Sequence, residues 1–75
     1  MIILVSGSGC SVCKMAIQIL GKKGISFKEI DSESERGKEL LKAYGAQSLP
    51  LLIEDDAHKN IPVIGNEVVK HLMQR

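Results

Sequence analysis

Apolar and polar positions along the chain change period several times, and each change marks an element. Ile2–Val5 is an unbroken apolar run rich in β-branched side chains, the pattern of a strand buried on both faces. Gly7 and Gly9 interrupt it. From Ser11 the spacing becomes helical: Cys13, Ala16, Ile17 and Leu20 form an apolar face, and Lys14, Gln18 and Lys22 a polar stripe. Gly21 and Gly24 are stop signals for that helix. Ile25–Ile30 predicts a second strand, and Lys28 and Glu29 within it place it at a half-exposed edge. Ser32-x-x-Glu35 has the form of a capping box, in which two side chains satisfy orphan backbone donors reciprocally. The helix behind it carries Leu40, Leu41 and Tyr44 on one face and ends at Gly45. Gly37 in its first turns costs about 1 kcal/mol relative to alanine. Leu51–Glu54 predicts a third strand, Asp55–Lys59 a polar turn and Asn60–Val63 a fourth strand, so these two strands form an antiparallel hairpin. Asn66 is placed to cap a last helix with Val68, Val69 and Leu72 inward. Lys70, His71 and Arg75 lie toward its C-terminal end, where the dipole favours cations.

The resulting order, β-α-β-α-β-β-α, bounds the fold. The first crossover joins two apolar strands through a helix, which makes those strands parallel and the crossover right-handed. The second helix returns the chain for the hairpin. The expected product is an α/β domain: a four-stranded mixed sheet with helices on both faces, spanning residues 1–75 as one unit.

Composition removes several functions. Phe27 and Tyr44 are the only aromatic residues, too few for base-stacking platforms. The formal net charge is +1 and the charges are interspersed, so nothing points to nucleic acid or to a membrane surface. Met1–Val5 is too short for a signal-peptide core, and no apolar run approaches a membrane span. These features predict a cytoplasmic protein, and the lack of an evident interface stripe predicts a monomer.

The chemistry-bearing feature is Cys10-Ser11-Val12-Cys13, which holds both cysteines of the chain. The pair can be a structural disulfide, part of a metal site or a redox couple. A reducing compartment and a tiny closed loop both argue against the first. Structural zinc needs four ligands, and His58 and His71 lie too far apart in sequence for the usual paired-histidine spacing. Carriage of a soft metal such as copper through Cys10 and Cys13 is the alternative function. Small copper-carrying domains end in a strand, however, whereas this chain ends in a helix. They also commonly have methionine where Ser8 stands. As a redox couple the spacing has a direct rationale. Cys10 falls where the loop meets the helix, at unpaired N–H groups and the positive dipole end. Such sites lower a thiol pKa from ~8.5 to roughly 3.5–7.5. Cys13, one turn further on the apolar side, is less exposed and can displace whatever Cys10 captures.

Other reactive side chains read more plainly. His58 and His71 are solvated, and Asp55 and Asp56 are turn residues. Tyr44 is core with a wet hydroxyl. Met15 and Met73 are packing residues. Lys14 either supports a thiolate on the pair or is a plain surface lysine.

A second signal is "SLPLLI", Ser48–Ile53, with a proline directly before a buried strand. Leu49 is thereby kept out of the helical region, and the placement makes sense if Leu49–Pro50 is cis beside the cysteines. Together with "CSVC", "YGAQSLPLLI" and "IPVIGNEVVKHL", this resembles the glutaredoxin family of small thioredoxin-fold proteins over nearly the whole chain. The resemblance implies a thiol–disulfide oxidoreductase acting on protein or glutathione mixed disulfides, with Cys10 as nucleophile and Cys13 as resolving thiol. It implies a cis Pro50 facing the disulfide and a Leu49 backbone that pairs with the substrate's backbone. Ser11 and Val12 would line the substrate, and the turn Gly65, Asn66, Glu67 would hold the γ-glutamyl end of glutathione. It implies no tightly bound cofactor, with glutathione as the reducing co-substrate or a thioredoxin reductase as the source of electrons. The departures are specific. Ser11 and Val12 replace the usual Pro-Tyr, Gly7 stands where a lysine or arginine is common, and Asn66 replaces the second glycine of a pair. Relatives that feed ribonucleotide reductase share the size and a dithiol without Pro-Tyr, but their aromatic-rich C-terminal motif is absent from Ile61–Arg75.

Overall fold

A computed structural model describes residues 2–56 and 59–74, with side chains described outside residues 55–61. The elements are β1 (Ile2–Ser6), α1 (Ser11–Lys22), β2 (Lys28–Asp31), α2 (Glu35–Ala43), β3 (Leu51–Asp56), β4 (Lys59–Ile64) and α3 (Glu67–Met73). They form a four-stranded sheet in the order β2-β1-β3-β4. β1 and β2 are parallel; β1–β3 and β3–β4 are antiparallel. This is the mixed sheet expected from the element order. Among the described residues no helix is long and apolar enough to cross a membrane.

Alternation along the central strands divides the core in two. Ile2 and Leu4 pack with Ala16 and Leu20 of α1, Leu52 of β3, and Val68 and Leu72 of α3. Val5, Leu51 and Ile53 pack on the other face with Ile30 and Leu40, under α2. Tyr44 lies half-buried against this second cluster. β2 is an edge strand with Ile30 as its buried residue, as its charged side chains predicted.

Several local expectations are corrected. α1 runs through Gly21 to Lys22, and the chain leaves it at Gly24 with φ 66°. Ile25 N–H still bonds the Leu20 carbonyl at 3.0 Å, so β2 starts only at Lys28. The cap of α2 is Ser34, not Ser32. Ser32 N–H is taken by the Ser6 carbonyl at 2.8 Å, while Ser34 Oγ accepts from Gly37 N–H at 3.0 Å. Gly37 has a steric reason: a Cβ there would overlap the Asp31 carbonyl. Asp55 and Asp56 belong to β3, paired with Asn60 and Lys59, because the hairpin ladder continues past Glu54. His71 is half-buried, not a solvated outer residue; its Nε2 lies 3.2 Å from Glu54 Oε1. Met15 and Met73 are exposed rather than packed. Asn66 sits at the head of α3 without a side-chain capping bond. The readings of His58 and Arg75 fall outside the described residues.

Candidate active site

The strand directions bring three distant segments to one end of the sheet. β3 runs antiparallel to both β1 and β4, so the C-terminal ends of β1 and β4 flank the start of β3. The loop after β1 leads to Cys10, the segment before β3 is Leu49–Pro50, and the turn after β4 is Gly65–Glu67. Val5 pairs with Leu51, which sets Ser6 and Gly7 alongside Pro50 and Leu49.

Gly9, with φ 76°, turns the first loop into α1. Cys10 is the N-cap: its backbone is extended and its Sγ accepts from Cys13 N–H at 3.2 Å. A sulfur therefore fills the place usually taken by a hydroxyl or carboxylate oxygen. Cys10 and Cys13 form a disulfide across Cα atoms 5.3 Å apart. The two cysteines differ sharply in exposure. Cys10 is half-buried at the helix mouth, whereas Cys13 is 1% exposed on the inner face of α1. Ser11 is exposed and Val12 half-buried between them.

The Leu49–Pro50 peptide is cis, and Pro50 is buried. Its carbonyl accepts from Gly65 N–H at 2.9 Å, and the Gly65 carbonyl accepts from Val68 N–H at 3.0 Å. Gly65 adopts φ 66°, so the turn that opens α3 is latched to the proline by backbone alone. Asn66 and Glu67 stand exposed on that turn. Gly7 is boxed in: a Cβ there would come within 2.8 Å of Leu49 Cδ1 and 2.9 Å of Ser32 Oγ. The structure thus groups Cys10 and Cys13, and separately ties Leu49, Pro50 and Gly65 together at the same end of the sheet. His71 stays apart, since Glu54 pairs with Ile2 at the opposite end of β1.

Among the described residues no group of three or more His, Cys, Asp or Glu side chains is arranged to hold a metal ion. Reasoning from sequence missed Ser6, Glu29 and Asp31, which share a cleft with Cys13 and Lys14. The alternation of Glu29 and Asp31 along β2 was the available signal, because it puts both carboxylates on one face of the sheet.

A thioredoxin-like fold carrying a cysteine pair at a helix N-terminus is the class that these features define. The glutaredoxin family model matches residues 2–59, and the chain belongs to that family. Nothing among curated proteins matches. Solved structures do. NrdH-redoxin from Escherichia coli is 20% identical with a TM-score of 0.78, over 97% of this chain and 91% of that one. Glutaredoxin from Brucella melitensis is 26% identical with a TM-score of 0.67, over 97% and 77%. Glutaredoxin from Archaeoglobus fulgidus is 23% identical with a TM-score of 0.64, over 99% and 86%.

Proposed function

We propose that the protein reduces disulfides by dithiol exchange. The observation that carries this reading is the asymmetry of the pair. Cys10 is only half-buried and its sulfur receives a backbone N–H, whereas Cys13 is buried one turn behind it. In the reduced protein the Cys13 N–H and the helix dipole favour a thiolate on Cys10. That thiolate attacks a substrate disulfide, forming a bond from Cys10 to one substrate sulfur and releasing the other as a thiolate. Cys13 then attacks Cys10 Sγ, forms the intramolecular disulfide and expels the reduced substrate. Leu49, next to the cis bond, offers its backbone to an extended substrate segment, with Ser11 and Val12 on the other side. Protein disulfides, that of ribonucleotide reductase among them, fit such a strand-like docking mode. A reducing cytoplasm is the compartment in which this cycle runs forward.

Glutathione is the reductant that family membership favours, its γ-glutamyl end held at Gly65, Asn66 and Glu67. A second reading, electrons from a thioredoxin reductase, is favoured by Gly7. Leu49 and Ser32 crowd the position where a basic side chain commonly helps hold glutathione.

Cys13→Ser tests the exchange. It should accumulate a covalent adduct on Cys10 with a disulfide peptide, seen by intact mass, while Cys10→Ser forms none. Adducts forming on Cys13 instead would reverse the roles. Tight stoichiometric Cu(I) binding without disulfide reduction would replace the reading with metal carriage. Turnover with glutathione and its reductase, set against turnover with thioredoxin reductase, decides the donor.

A further inference from the structure

Cys13 must lose a proton before it can attack, yet it is 1% exposed. A cleft of about 460 Å³ reaches it, lined also by Ser6, Lys14, Glu29 and Asp31. The strand register explains these neighbours. Glu29 pairs with Leu4 and Asp31 with Ser6, so both carboxylates project onto the sheet face that α1 covers. Their roles diverge. Asp31 Oδ1 accepts from Glu33 N–H at 3.0 Å and is committed to the turn before α2. Glu29 Oε2 accepts from the hydroxyl of the buried Ser6 at 3.3 Å, which holds that carboxylate at the cleft wall.

We propose that Glu29 is the proton acceptor for Cys13 in the resolving step, acting through water in this cleft. The inference rests on the dithiol-exchange reading. As Cys13 Sγ bonds to Cys10 Sγ, the Cys13 thiol proton passes through water to the Glu29 carboxylate. The bond from Cys10 to the substrate sulfur breaks, and the substrate leaves as a thiolate that takes a proton from solvent. The two electrons that reduce the substrate come from the cysteine pair, which ends as the disulfide. In the reverse direction Glu29 returns the proton to Cys13 when the donor opens that disulfide. Lys14, from α1, and Asp31, from β2, are the other charged groups facing the cleft.

Rapid mixing of the reduced protein with a symmetric chromogenic aryl disulfide separates the steps. One coloured thiolate is released when Cys10 attacks and a second when Cys13 resolves. Glu29→Gln, which keeps an oxygen for Ser6, should leave the first phase within about twofold and slow the second roughly 10- to 100-fold. Its second phase should then rise about tenfold per pH unit below the thiol's own ionisation, where the parent's is flatter. Glu29→Asp should recover part of the rate, and Asp31→Asn should leave the second phase within about twofold of the parent. An unchanged second phase in Glu29→Gln, or equal slowing of both phases, overturns the proposal. A parent with no fast first phase, or a Cys10→Ser protein that keeps one, overturns the nucleophile assignment instead.

Discussion

Helices α1 and α2 open on the same device built from different atoms. At α1 the Cys10 sulfur accepts the Cys13 N–H at 3.2 Å; at α2 the Ser34 hydroxyl accepts the Gly37 N–H at 3.0 Å. Both caps are three residues from their donor, and both have extended backbones. The Ser34 hydroxyl also donates to the Asp31 carbonyl at 2.6 Å, which ties the cap into the preceding turn. Cys10 is instead bonded to Cys13, the residue whose N–H it accepts. One cap has its oxygen committed on both sides and serves stability. In the proposed function the other, once reduced, presents an ionisable atom where the local field favours its charged form, and it serves reactivity.

Cys10→Ser separates these two functions most completely. Serine is a strong N-cap, so the helix start should survive. Stability, compared with the parent under reducing conditions, should stay within about 0.5 kcal/mol by urea denaturation. Disulfide exchange should disappear altogether, because the attacking sulfur is gone. A large loss of stability would mean that the sulfur contributes to the fold beyond its capping bond, and the contrast between the two helix starts would fail.

Ser34→Ala probes the other side with a smaller effect. It removes the acceptor for Gly37 N–H and the donor to Asp31 together. A loss of about 1 kcal/mol in unfolding free energy is expected, with turnover of the folded protein unchanged. A comparable fall in turnover at temperatures well below the transition would show that α2 and the cysteine loop are energetically linked. The bond from Ser32 N–H to the Ser6 carbonyl is a route by which that could happen.

Much of this contrast was legible beforehand where the signal is local. The change from an apolar run to helical spacing located Cys10 at a helix mouth, and the same spacing put Cys13 inside. The element order and the parallel first pair followed from similar periodicities. What escaped is non-local. Ser32 and Ser34 are equally good cap candidates by type, and only pairing with Ser6, in β1, removes Ser32 from the competition. Asp55 and Asp56 read as turn residues because their strand state depends on Asn60 and Lys59 across the hairpin. His71, in α3, finds Glu54, in β3, through packing that no local pattern reveals. Glu29 read as a mere edge charge, and its nearness to Cys13 required the β1–β2 register.

α3 supplies the limiting case, with the smallest effect. Asn66 occupies the capping position, but its backbone is already helical, at φ −60° and ψ −22°, and its side chain makes no capping bond. The turn is held by Gly65, whose N–H reaches the Pro50 carbonyl and whose carbonyl receives Val68 N–H. Asn66→Ala should therefore change stability by less than about 0.5 kcal/mol, well below the Ser34 effect. If the exposed Asn66 side chain contacts glutathione, the same variant should raise the KM for glutathione while leaving the rate with a thioredoxin reductase untouched. A stability loss matching that of Ser34→Ala would instead show that Asn66 caps α3 in solution. Three helices would then start on side-chain caps, and the distinction drawn at Cys10 would lie in its chemistry alone.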